Sequence, residues 1–86
     1  MHSKIVAVGS ASGLHARPAA LIAGAALKAG VPVTLSVGDG DPVDAGSALM
    51  IMTLGLGSGD QVTVRSEDAS AVVSVAGLVQ KDLDAD

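Results

Sequence analysis

The sequence predicts an α+β fold: a two-layer open-faced sandwich in the order β-α-β-β-α-β-α, whose four-stranded antiparallel sheet carries three helices on one face. Two kinds of periodicity lead there. Apolar residues recur at every second position through Val33, Leu35 and Val37 and again at Val62 and Val64, whereas they recur at helical spacing from Pro18 to Ala29 and from Val72 to Leu83. A strand with one apolar and one polar side belongs to a sheet covered on a single face, the usual condition of antiparallel sheets. The third observation is length. A chain of 86 residues without a cysteine can build one core and no second one, so residues 1–86 are expected to form a single domain.

Ile5–Val8 reads as the first strand, ended by the breaker-rich Gly9-Ser10-Ala11-Ser12-Gly13. Pro18 fits the first turn of a helix, where its missing N–H has no partner to lose, and Gly30 supplies the stop. Within this helix Pro18, Leu21, Ile22, Ala25 and Ala29 share one face and are expected to pack on the sheet, while Lys28 suits the negative end of the dipole. Gly24 costs about 1 kcal/mol relative to alanine there. It reads as a tolerated glycine, with close approach of a partner beside Arg17 as the alternative.

Pro32–Val37 is the second strand. Gly38-Asp39-Gly40 turns the chain into a short strand within Asp41–Ala45, which Pro42 confines to an edge. Ser47 is expected to cap a short second helix that the glycine-rich stretch 55–59 ends. Gln61–Arg65 is the fourth strand, and the last helix starts near Asp68 or Ser70 with Val72, Val75, Ala76, Val79 and Leu83 facing inward. Its tail places Asp82, Asp84 and Asp86 at the wrong end of the dipole, so fraying is expected there. Periodicity alone does not give the strand order.

Composition removes several classes of function. Five basic residues against nine acidic ones, with no aromatic residue, supply neither the charge nor the stacking groups that nucleic-acid binding needs. No run reaches the ~18 apolar residues of a membrane-spanning helix. Met1–Lys4 followed by a strand-like stretch does not read as a secretory signal, so a cytoplasmic protein without membrane insertion is expected. The two histidines lie far apart and no carboxylate cluster has ligand spacing, so neither a metal nor another cofactor is expected.

Ser12-Gly13-Leu14-His15-Ala16-Arg17-Pro18 is where the chemistry concentrates. It puts His15 at or just before a helix N-terminus, whose N–H groups and dipole favour an anion. A neutral imidazole beside such a terminus is a phosphoryl acceptor in waiting, and the competing reading is a surface histidine that merely caps the helix. Arg17 can bind phosphoryl oxygens through paired hydrogen bonds. Ser12, Gly13 and the amides of Ala16 and Arg17 are candidate further donors. A hydrolase triad is disfavoured, because no local carboxylate orients the ring.

These residues are also a resemblance. Gly13-Leu14-His15-Ala16-Arg17-Pro18 matches the phosphorylation-site signature of the histidine-containing phosphocarrier family, HPr, of the bacterial phosphoenolpyruvate-dependent sugar phosphotransferase system. Ser47-Ala48-Leu49-Met50-Ile51-Met52-Thr53-Leu54-Gly55 is similar to the family's second signature. The resemblance implies a monomeric carrier, not an independent catalyst, that receives a phosphoryl group on His15 Nδ1 from Enzyme I and passes it to sugar-specific IIA domains. It implies that Arg17 stabilises that group with support from Ser12, Ala16 and Pro18. It implies a docking surface of Leu14, Ala20, Gly24, Ala48, Leu49 and Met52, joined by exposed members of Met50 and Leu54. Ser47 matches a regulatory serine that an ATP-dependent HPr kinase phosphorylates in some lineages, although a plain N-cap is the favoured reading. Bulk at position 48 and basic charge at position 24 are absent relative to many members, which weakens electrostatic steering. The alternatives are a regulatory or nitrogen-related HPr-like paralogue and, from another class, a small anion-binding interaction module.

Overall fold

The computed structural model describes residues 1–83, which leaves Asp84 and Asp86 of the expected acidic tail outside the described residues. The elements are β1 (His2–Ala7), α1 (Ala16–Lys28), β2 (Val33–Ser36), β3 (Val43–Asp44), α2 (Ala48–Thr53), β4 (Gln61–Ser66) and α3 (Ala69–Gln80). The strand order, which periodicity left open, is β1-β4-β2-β3 with every pairing antiparallel. The fourth strand in sequence is therefore interior, with Val64 opposite Lys4 on one side and Leu35 on the other.

Alternation then sorts the side chains. Val6, Val33, Leu35, Val62 and Val64 are buried, and the helices cover that face. From α3 come Ala71, Val72, Val75, Ala76 and Val79. Asp68 caps this helix, accepting from Ser70 N at 2.8 Å, and Leu83 is buried just beyond its end. Ser66 is the polar residue at the far end of β4. Its hydroxyl donates to Pro32 O at 2.8 Å and accepts from Asp68 N at 3.2 Å, so the start of β2 and the cap of α3 share one partner.

One inward face differs from expectation. In α1 the buried residues are Pro18, Ala19, Ile22, Ala23 and Ala26, while Leu21 is 45% exposed and Ala25 half-buried. The stripe is rotated: alanines, not the larger Leu21, lie on the buried side of α1, which packs on α2 and α3. Small side chains there let α1 lie close against its two neighbouring helices. In α2 the buried residue is Ile51, and Leu54 is half-buried. Val37 lies past the end of β2 and is exposed, and β3 has two residues with Pro42 just outside it.

One isoleucine thus anchors α2, and a comparison of neighbours checks it. Ile51→Ala is expected to lower unfolding stability by about 2–5 kcal/mol, and Leu49→Ala to change it by less than about 0.5 kcal/mol. Urea denaturation followed by far-UV circular dichroism gives both values.

Candidate functional site

The start of α1 is built by backbone. Gly13 has φ +80, and a Cβ there would strike the Leu56 carbonyl oxygen and approach Gly57 Cα at 2.9 Å. Only glycine gives both the dihedral and the clearance. Immediately afterwards Leu14 N donates to Leu56 O at 3.0 Å, so the loop before α1 is tied to the loop that leaves α2. On its other side Gly9 N donates to Val79 O at 2.9 Å, and a Cβ on Gly9 would overlap the Gln80 carbonyl. The approach to His15 is therefore wedged between the exits of α2 and α3.

His15 is the N-cap of α1, with extended backbone (φ −85, ψ −166), and its carbonyl accepts the first helical bond from Ala19 N at 2.9 Å. Its side chain makes no capping hydrogen bond to the helix, contrary to the reading of a mere capping histidine. The residue is exposed, as are Ser12, Ala16 and Arg17. No acidic residue occupies the first turn of α1, so nothing in that turn cancels the positive end of the dipole. Pro18 is the third helical residue and has no N–H, which leaves Ala16 and Arg17 as the amides that the turn can aim at an anion.

Three expectations need correction. Leu14 is 4% exposed and belongs to the core, so it cannot contribute a docking surface; the bond from its amide to Leu56 O pulls its side chain under the loop. Gly13 is not a spare donor, because its N–H already donates to Ser10 O at 3.0 Å. Pro18 is fully buried and supports the site through shape rather than contact with an anion. No signal separated Leu14 from an exposed leucine, since the closing contact lies some forty residues away in sequence.

The other residues of the expected surface lie on α1 and α2. The two helices α1 and α2 pack on each other. They expose Ala20 and Gly24 on the first and Leu49, Met50 and Met52 on the second, with Leu49 at 70%. Ala48 is half-buried against the core. Nothing lies within 4 Å of a Cβ built on Gly24, so no contact within the described residues requires glycine there. Ser47 caps α2, its hydroxyl accepting from Met50 N at 3.3 Å. A groove of about 460 Å³ opens between the end of α1 and β3, and none of the predicted site residues lines it. Among the described residues no group of His, Cys, Asp or Glu is placed to hold a metal, and no helix is long and apolar enough to cross a membrane.

A family model described as "PTS HPr component phosphorylation site" matches residues 2–81. The chain belongs to the HPr family. It is 40% identical over 80 residues to the phosphocarrier protein HPr of Streptomyces coelicolor, a match that covers 93% of this chain and 86% of that one. Among solved structures, the phosphocarrier protein HPr of Bacillus anthracis superposes with a TM-score of 0.83 at 34% identity, covering 92% of this chain and 96% of that one. HPr-C-His of Thermoanaerobacter tengcongensis superposes at 0.86 with 28% identity, over 100% and 99%. The open-faced sandwich is thus the HPr fold, and the chain is an HPr phosphocarrier of the phosphotransferase system.

The two glycines of this region should respond oppositely to alanine. Gly13→Ala is expected to destabilise by more than about 1 kcal/mol, since it combines a positive φ with a backbone clash. Gly24→Ala, in open helical surface, is expected to stabilise by up to about 1 kcal/mol. Thermal unfolding of the two variants beside the wild type checks the signs.

Proposed function

We propose that His15 accepts a phosphoryl group from phospho-Enzyme I and passes it to sugar-specific IIA domains in the cytoplasm. The observation that carries this reading is the exposed imidazole of His15 at the N-cap of α1, with Arg17 in the first turn and no capping bond from the ring to the helix. The lone pair of Nδ1 attacks phosphorus while the N–P bond of the donor breaks, and the electron pair of that bond returns to the donor's ring nitrogen. The second transfer runs the same exchange onto the acceptor. Water takes no part, so the phosphoryl potential is kept.

Arg17 binds the phosphoryl oxygens as they pass, and the amides of Ala16 and Arg17 add the partial charge of the helix terminus. Ser12 lies on the same rim. An open site that binds its phosphate only moderately suits a carrier, because strong binding of the phosphorylated form would trap it. Ala20, Gly24, Leu49 and Met52, with the edge of Ala48, form the face presented to both partners. Its methionines adapt to more than one surface.

The decisive experiment is transfer from phosphoenolpyruvate through purified Enzyme I, read by intact-mass spectrometry. One acid-labile, base-stable phosphate is expected on the wild type and none on His15→Ala; equal labelling of that variant refutes the assignment. Ser47 acts first as an N-cap, and Ser47→Ala is expected to cost about 1 kcal/mol in a urea titration. An HPr kinase with ATP should leave Ser47 without phosphate, and a phosphoserine found there by mass mapping would show the regulatory role instead.

A further inference from the structure

The C-terminus of α3 is capped only in part: the Lys81 amide donates to Gly77 O and Leu78 O at 3.2 Å each, which leaves Val79 O to a donor from elsewhere. Its last turn carries no basic residue, and its C-cap, Lys81, is extended (φ −78, ψ 145) rather than followed by a left-handed glycine. The final carbonyls of a helix need donors from elsewhere. Here the loop before His15 supplies one of them and reaches the carbonyl just past the helix as well. Gly9 N donates to Val79 O, and Ser10 Oγ donates to Lys81 O at 3.5 Å. The same Ser10 hydroxyl accepts from Leu83 N at 3.1 Å, in a bond joining residues 73 positions apart.

Ser10 is 0% exposed, and its backbone is also engaged. Its carbonyl accepts from Gly13 N, closing the turn that delivers Leu14 to Leu56 O and His15 to the head of α1. One small side chain therefore fastens the segment after α3 to the turn that sets where α1 begins. Cutting the hydroxyl away leaves the Leu83 amide without this acceptor, and the relief available is movement of the loop.

We propose that Ser10 is a positioning residue for phosphoryl transfer at His15, holding the 10–13 turn and hence the ring in line for the incoming phosphorus. The inference rests on the function proposed above. It makes a claim that a purely structural role would not: the loss falls on the transfer step more than on docking, because Leu49 and Met52 lie on α2, a separate element, and Ala20 and Gly24 lie beyond the first turn of α1. Misplacing a reacting atom by about 1 Å can cost on the order of a hundred-fold in rate.

The test compares wild type, Ser10→Ala and Ser10→Cys, the last being nearly isosteric with a weak sulfur hydrogen bond. Each is assayed for transfer from phospho-Enzyme I well below its own melting midpoint, and each is also examined by two-dimensional ¹H–¹⁵N NMR. In Ser10→Ala, kcat should fall at least about ten-fold while KM for Enzyme I stays within about two-fold, with Ser10→Cys between the two proteins. The amide resonances of His15, Ala16 and Arg17 should move while those of Leu49–Met52 stay in place. An unchanged kcat in a folded variant, a loss confined to KM, or unmoved resonances at 15–17 would each overturn the proposal. If Ser10→Ala does not fold, Ser10→Cys decides by the same measures. If the wild type accepts no phosphoryl group, the function proposed above fails, and the NMR comparison by itself then decides whether Ser10 positions His15.

Discussion

Everything at the start of α1 depends on how closely three stretches of backbone approach one another. Gly9 lies against the Gln80 carbonyl and Gly13 against Leu56 and Gly57, each at a separation that a Cβ would violate. Close approach of this kind leaves main-chain amides to make the contacts, and they do so at Val79 O and Leu56 O. The position of His15 is consequently a property of the whole fold. The loop is short, and its two walls are the exits of α2 and α3, so several elements fix where α1 begins.

That placement matters for the kind of chemistry a carrier performs. Phosphoryl transfer asks little covalent work of the protein and a great deal of placement, since the attacking and leaving atoms must lie in line. A buried pocket would provide placement but would exclude a second protein. An exposed histidine on a fixed helix start offers the alternative, in which the partner completes the site and the carrier contributes a ring, a guanidinium and two amides at set positions. Under the proposed function, the requirement for balance is met by one arginine. Further charge would stabilise the phosphorylated form against release.

How legible this was in the sequence depends on the range of the contact. Local signals read well: the alternation through Val33 and Leu35, the caps at Ser47 and Asp68, the stop at Gly30 and the breaker-rich loop before His15 all act within a few residues. The rotated face of α1 did not read well, because hydrophobicity ranks Leu21 above Ala19 and Ala23 whereas close packing against α2 and α3 favours the alanines. Leu14 was misplaced for a different reason. Its neighbours in sequence are all site residues, and the carbonyl that draws it inward belongs to Leu56. Ser10 gave no pattern at all, since the partners of its hydroxyl lie at the far end of the chain.

The exposure of α2 follows from the same economy of packing. A helix of six residues makes too few internal bonds to stand alone, and here it is held by the Ser47 cap, the side chain of Ile51 and its contact with α1. Because Ile51 is the one fully buried side chain of α2, with Ala48 half-buried beside it, Leu49, Met50 and Met52 remain on the surface, where no requirement of folding would put three large apolar side chains. The charged residues in α1 and α2 are Arg17 and Lys28, one at each end of the longer helix. A face of this composition attracts partners weakly from a distance and holds them through burial once they touch. If the chain relays between two proteins as proposed, contact area rather than charge sets how long each encounter lasts.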